Sequence, residues 1–419
     1  MRAWAILAGV AAALAPPASA EPPRVPSWDA FVDGLRDLPT RMLARLSPAE
    51  QADPQIRAEV ARLALEALVS SGIDALASDG DHPAFIAQIN QVLNVGQPNA
   101  DTSYRSARIT PGGTYRIRGR KGSLRMVRIS QSAPIKPSAG SRLPNLGPQR
   151  PSFDVNALHA DGKGRFDVIL STARPVGYAG DWWRLAPDTD RLLLRMVSSD
   201  WGKEAEPSFS IERLDAPANR SRPSAASIDQ RLRALPATID FIAPLFVDHV
   251  DRLRAEGYVN RLKVFDTAQL GGLLGQFYYE GAYDLPDGEA LIVEAKVPAR
   301  CLYRSLILAN ALYETTDWYN NHSSLNDSQA RPDADGVLRI VVSARDPGVP
   351  NWLDTAGYPQ GVIQGRWAEC DTQPVPSIRK VAFADIRRLL PAATPTITPA
   401  ARETLVRDRR AALQQRSLW

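Results

Sequence analysis

The chain has 419 residues, 44% hydrophobic and 23% charged, ordinary figures for a globular protein with room for two or three folding units. Fifty lysines and arginines against 46 aspartates and glutamates leave a formal net charge of +4, and net charge alone does not mark a nucleic-acid binder. Thirty-four prolines and 27 glycines argue for many turns and short strands, and against a helical bundle.

Residues 1–20 read as a signal peptide, with Arg2, an apolar run Ala3–Ala15 and the small residues Ala18-Ser19-Ala20. The run is shorter than the roughly 20 residues of a membrane span, no cysteine stands at the cleavage point to carry a lipid, and no later stretch reads as transmembrane. The expectation is an exported protein, periplasmic or secreted. Export gives meaning to the only two cysteines, Cys301 and Cys370. An oxidising compartment permits a disulfide between them, with two buried thiols as the alternative.

Residues 21–97 predict a helical arm. Ser27 or Asp29 caps a first helix carrying Phe31, Val32, Leu35 and Leu38 towards Leu46. Ser47-Pro48-Ala49-Glu50 starts a second, reaching about Leu76, and His82-Pro83 opens a third through Ile86, Ile89 and Val92. Strand grammar takes over in residues 98–215: Tyr104–Ile109, Thr114–Arg120, Leu124–Ser130, Phe153–His159, Arg165–Ser171, Leu192–Val197 and Phe209–Leu214. The arginines of Arg116–Arg128 fit the wet face of a sheet, or a basic stripe for an anion. Ser132–Pro151 is a long loop. Residues 216–260 read as a linker and a long helix from Ser227 to Gly257, kinked at Pro236 and Pro244.

In residues 261–375 aromatic residues crowd between strands Ala290–Val297, Tyr303–Leu308, Val337–Ser343 and Gly361–Trp367. Residues 376–419 hold two helices, Ala382–Leu390 and Pro399–Gln415. The second carries Arg402, Arg407, Arg409, Arg410 and Arg416, and reads as solvated, or as a membrane or acidic-partner surface. The fold class is α+β: a helical N-terminal arm, then two β-rich lobes, sandwich or jelly-roll-like, joined by a helical segment.

Four scattered histidines without H-x-x-H spacing give no metal site, and no cofactor is expected. There is no G-x-S-x-G elbow. Carboxylate chemistry has candidates in Glu280, Asp284, Glu314, Asp317, Asp327 and Asp354, among aromatics that could equally be core.

The S-L-N segment Ser324–Asn326, the D-x-D-G turn Asp333–Gly336 and the P-N-W-L-D turn Pro350–Asp354 resemble the C-terminal half of the DUF1214 family, over residues of about 277–368. Asn99–Tyr104 with D-W-W-R-L and D-W-G-K-E resembles DUF1214 or DUF1254 more loosely. The family name denotes unknown function, so the resemblance implies architecture. It places Asn99, Asp101 and Tyr104 beside a cleft at the mouth of the first strand. Loop Trp318–Asp327 and turn Asn351–Asp354 are expected to converge as one wall of a pocket. Trp318 and Trp352 would stack on a ligand, Asn326 and Asn351 orient it, and His322 or Asp354 move a proton if there is catalysis. The functional reading is a module binding a small molecule or saccharide in an aromatic-lined cleft. A hydrolase or lyase on a carbohydrate or other polar ring is the alternative, and a structural envelope protein a further one.

Overall fold

A computed structural model describes residues 24–134, 150–265, 273 and 275–417. Residues 1–20, read from sequence as a signal peptide, and most of the loop Ser132–Pro151 lie outside the described residues. The fold is α+β, with helices at the N-terminus, between the two β-rich lobes and at the C-terminus.

Helices α1 (Pro26–Leu35), α2 (Leu38–Leu43), α3 (Pro48–Ala52) and α4 (Pro54–Ala77) form the arm. The predicted helix start at Ser47 forms, with Ser47 and Glu50 closing a capping box, but Asp53-Pro54 ends that helix and caps a new one. The third predicted helix, from His82, does not form. Ile86 instead exchanges both backbone hydrogen bonds with Ser106 at a sheet edge, which satisfies the groups a helix would have used. The joining segment folds as α5 (Ala225–Ile242) and α6 (Leu245–Ala255). Pro236 is carried inside α5 and the break falls at Ala243-Pro244. Arm and joining helices share one core, with Phe31, Met42, Leu63, Ala67, Leu235 and Ile239 buried together.

The first lobe holds β1 (Thr102–Arg108), β2 (Tyr115–Arg120), β3 (Met126–Ser132), β4 (Phe153–Asp154), β5 (Arg165–Ser171), β6 (Asp181–Arg184), β7 (Arg191–Val197) and β8 (Ser208–Arg213). They make two four-stranded sheets, β1-β7-β3-β4 and β6-β5-β2-β8. Alternate residues from both sheets, including Ile117, Ile129, Val168 and Leu194, fill the space between them.

The second lobe holds β9 (Lys263–Phe265), β10 (Gln276–Asp284), β11 (Glu289–Lys296), β12 (Cys301–Asn310), β13 (Ser324–Asn326), β14 (Val337–Ser343), β15 (Trp352–Asp354), β16 (Gln360–Cys370) and β17 (Ser377–Ala382). Its sheets are β13-β12-β16-β10-β9 and β15-β14-β11-β17. Cys301 pairs with Cys370 in register across β12 and β16 and is bonded to it. Helices α7 (Ile386–Leu389) and α8 (Pro399–Gln414) follow.

Apart from the edge strand β9, the two lobes have one topology. Replacing β1 to β8 by β10 to β17 in order turns the first lobe's sheets into the second's. The equivalence holds residue by residue at one corner. The turns before β5 and β14 each place a glycine at positive φ, Gly164 at 74° and Gly336 at 77°, where a side chain would be strained. Gly164 donates to the Asp161 carbonyl as Gly336 does to that of Asp333. Both strands then run to a serine, Ser171 and Ser343, and each gains a short parallel neighbour, β6 or β15. Tandem copies of one eight-stranded sandwich thus account for both lobes.

Candidate functional site

The segments expected to form a pocket wall do meet, but they meet in the core. His322 Nδ1 lies 2.5 Å from the Trp352 carbonyl oxygen, and the Asp354 amide donates to the His322 carbonyl at 2.9 Å. Trp318, His322, Asn326 and Trp352 are all buried. Burial, then Arg409 and Arg402, hold the His322 imidazole well below its ordinary range. The carboxylate of Asp354 accepts from the Ala356 amide as a turn cap and is pushed up by burial. Asn351 ties the Arg331 and Arg339 carbonyls together. Asn and Asp here shape backbone, and the indoles fill space.

Asn99 and Asp101 are likewise buried, at the seam between the lobes. Asp101 accepts from Trp201 Nε1 at 2.8 Å and Asn326 Nδ2 at 2.7 Å, and from the Tyr303 hydroxyl at 2.6 Å. Asn99 Nδ2 donates to the same hydroxyl, and the Asn99 amide donates to that of Tyr104. Burial pushes the Asp101 carboxyl up against these donors. The motif fastens β1 to the second lobe.

Helix α8 covers this seam. Arg402 and Arg409 of the helix and Arg416 just beyond it recur every seven residues and are buried, whereas Arg407 on the other side is exposed, so one face of the helix is packed and the other solvated. Arg402 pairs with Asp346, donates to the Val349 and Pro350 carbonyls, and lies 5.1 Å over the Trp352 ring. Arg409 donates to Ser324 and lies 4.6 Å over Trp201. Arg416 donates to the carbonyls of Ala100 and Asp101.

Two concavities stand out among the described residues, and one of about 20 Å³ lies in the second lobe beside Arg304, Ser305 and Asn326, room for about one water. The other, of about 1150 Å³, opens on the outer face of β6-β5-β2 in the first lobe, with Trp182, Arg116, Asp167, His159 and Arg174 among its lining. Of the residues proposed from sequence for the aromatic cleft, none lines this second concavity and only Asn326 lines the first; Arg116 and Arg118 of the suggested basic stripe do line the second.

The duplication explains why this face is open. Trp182 donates its indole N–H to Ser171 at 2.9 Å, and Trp352 donates to Ser343 at 3.0 Å. Around Trp352 the equivalent face is apolar, with Ile292 and Val341 packed under Ile386 and Leu390. Strand register sets Arg116 where Ile292 stands and Asp167 where Arg339 stands. The guanidinium that holds the loop before Trp352 comes from Arg402 of α8. In the first lobe Arg174 does this itself, donating to the Tyr178 and Gly180 carbonyls. No helix is needed there, and Trp182 is only half-buried.

The charges on this face are matched in place. Arg116 pairs with Asp167, Arg118 with Glu212, Arg165 with Asp161, and His159 Nδ1 lies 2.7 Å from Asp181. These pairs make a rim of fixed donors and acceptors with little excess charge. They also remove the basic stripe considered from sequence, since Arg125 meets Asp327 and Arg128 meets Asp154 and Glu369. The D-W-W-R-L segment was the visible sign of the site: strand alternation sends Trp183 inward to stack on Phe153 at 4.8 Å and Trp182 outward.

Among the described residues no cluster of three histidine, cysteine or acidic side chains is placed to hold a metal ion, and no helix is long and apolar enough to cross a membrane. The whole is a duplicated β-sandwich protein with a helical arm. A crystal structure of an uncharacterized protein from Burkholderia cenocepacia matches 86% of this chain and 98% of its own, at 28% identity and TM-score 0.77. A protein from Vibrio parahaemolyticus matches 76% of this chain and 99% of its own, at 14% identity and TM-score 0.42, too distant to carry an argument. No protein-family model and no curated protein matches the chain.

Proposed function

We propose that this is an exported protein of DUF1214 type that binds a polar small molecule, most suitably a saccharide, on the Trp182 face of its first lobe. The observation that carries the reading is the pair Trp182 and Trp352: one position in two copies of the fold, sealed by helices in one and left at a polar concavity in the other. An indole face stacks on the apolar side of a sugar ring while fixed polar groups orient its hydroxyls. Because the arginines are already paired with carboxylates, an ionic ligand would have to break those pairs. A neutral polyol can donate and accept alongside them.

Binding is favoured over glycoside hydrolysis by the state of the acids. Hydrolysis needs one carboxyl held protonated. Asp161 is drawn down by the Arg165 amide and guanidinium, and at Asp181 the bonds to His159 outweigh the opposing effect of burial. The envelope-protein reading loses its support with the burial of Arg402, Arg409 and Arg416. Export and a periplasmic or secreted location rest on residues 1–20 and are supported by the Cys301–Cys370 bond. The DUF1214 assignment rests on the Ser324–Asn326, Asp333–Gly336 and Pro350–Asp354 segments.

Saturation-transfer NMR with a panel of neutral and acidic mono- and disaccharides tests the reading. At least one neutral sugar should give transfer that falls about tenfold in Trp182→Ala and is unchanged in a variant distant from the face, such as Arg407→Ala. Equal transfer in Trp182→Ala, or none with any sugar, would overturn it.

A further inference from the structure

We propose that the ligand of the Trp182 face is a linear chain of neutral sugar units lying along the strands of the first lobe. The proposal rests on the reading of that face as a saccharide site and says what kind of saccharide it takes. The concavity holds about 1150 Å³, above the roughly 300–1,000 Å³ of a pocket that encloses one small molecule.

Strand register gives the floor its length. Ile117, Phe166 and Val168 point into the core, so alternation turns Arg116, Arg118, Arg165 and Asp167 outward. Trp182 is level with Ile169 and Arg116, Asp167 is level with Arg118, and Arg165 with Arg120. Neighbouring rows lie two residues apart, about 6.8 Å at the rise of an antiparallel strand. From the row of Trp182 to that of Arg165 the floor therefore runs about 13–14 Å, longer than a single sugar ring. It ends at the turn before β5, where Ala160 and Asp161 line it.

One kind of donor recurs along this floor, and in each row it is only partly used. Arg116 gives Nε and Nη2 to Asp167, Arg118 gives Nη2 to Glu212, and Arg165 turns Nε and Nη2 to Asp161. Among the described residues the Nη1 group of each meets no protein acceptor. A guanidinium carries five N–H bonds, so every row keeps a donor for a ligand hydroxyl, and the paired carboxylate fixes where it points. A floor that repeats its donors suits a ligand that repeats its hydroxyls. Trp182 stands at one end and stacks on the first ring, and the rows of Arg118 and Arg165 add contacts as the chain lengthens. Each guanidinium is already matched by a carboxylate, so the chain is neutral.

Calorimetric titration of the mature chain with mono- to pentasaccharides derived from starch, cellulose, mannan and xylan tests this. In at least one series affinity should rise about tenfold from the monosaccharide to the trisaccharide and then level off, because the floor ends. That length ratio should fall to about threefold or less in Arg165→Ala, whereas Trp182→Ala should weaken every length by a similar factor. Should Arg165→Ala fail to fold by circular dichroism, Arg118→Ala, one row nearer Trp182, decides in its place. A monosaccharide that binds as tightly as its trisaccharide, with both weakened in Trp182→Ala, would overturn the chain and leave the saccharide site standing. An unchanged length ratio in a folded Arg165→Ala would overturn it too. No binding in any series, monosaccharides included, would overturn the saccharide reading and this inference with it.

Discussion

Trp182 and Trp352 stand at one position in the two copies of the sandwich, each bonded to the serine two positions beyond its strand partner, at 2.9 Å to Ser171 and 3.0 Å to Ser343. The bond is local and survives in both lobes. What differs is what each ring is asked to cover. Trp352 carries Arg402 and lies against the shell of α7, whereas Trp182 borders the polar concavity.

Truncating the two indoles should therefore have unequal consequences. Trp352→Ala leaves a cavity in a packed cluster and should cost about 3–5 kcal/mol of stability. Trp182→Ala removes a half-exposed ring and should cost clearly less, about 1–2 kcal/mol. Urea denaturation of both variants checks this, and equal losses would mean that the two positions are not differently used.

The buried arginines of α8 and of the two residues beyond it divide in the same way. Arg416 serves two backbone carbonyls of the Asn99–Asp101 motif, so Arg416→Met should cost about 1.5–3 kcal/mol, the value of hydrogen bonds from a charged group. At Arg409, Nε and Nη1 have no acceptor, and burial pushes the guanidinium down to about 10. Arg409→Met should lie within about 1 kcal/mol of wild type, because an apolar isostere escapes that desolvation. Thermal unfolding of the two variants side by side separates them.

Much of the fold was legible in the sequence. β5 and β14 fall on their predicted residues, Arg165–Ser171 and Val337–Ser343, because alternation between glycine turns is a strong local signal. From sequence β15 reads as a turn and β6 and β17 as no strand, since edge strands of three to six residues are defined by their neighbours and not by their own pattern. The candidate site was misjudged for a related reason. Aromatic and amide residues look alike whether they line a cleft or fill a core, and only the covering helix α8, far along the chain, decides between them for Trp318, His322 and Trp352. The duplication itself was written in D-G-K-G-R-F-D-V-I-L-S and D-A-D-G-V-L-R-I-V-V-S, residues 161–171 and 333–343. Three identical positions in eleven, the aspartate, the glycine and the serine, are too few to stand out without the strand register.

The disulfide joins residues 69 apart in sequence on adjacent strands. In the chain-entropy model a loop of that size restricts the unfolded chain by roughly 4 kcal/mol. Denaturation with and without reductant should show a loss of up to that size, and Cys301→Ser with Cys370→Ser should match the reduced protein. A reduced protein as stable as the oxidised one would mean that the β12–β16 pairing alone holds the second lobe.

His322 supplies a pH-dependent prediction. Its imidazole is depressed first by burial and then by Arg409 and Arg402, with the bond to the Trp352 carbonyl opposing. The folded protein therefore keeps His322 neutral where the unfolded chain, with an ordinary value near 6.5, begins to take up a proton. A depressed base contributes stability that is present above the unfolded value and lost as pH falls below it. The loss should approach about 1.4 kcal/mol per pH unit between pH 6.5 and the folded value. Measured by urea midpoints from pH 7.5 down to 5, this slope should shrink in His322→Gln, which has no ring to protonate in either state. The ring-proton shifts of His322 should also stay flat across the same range in the folded wild-type protein. A titrating His322 near pH 6.5 would mean that water or an acid reaches the ring beneath α8, and would return the Trp318–Asp327 loop to consideration as a functional wall.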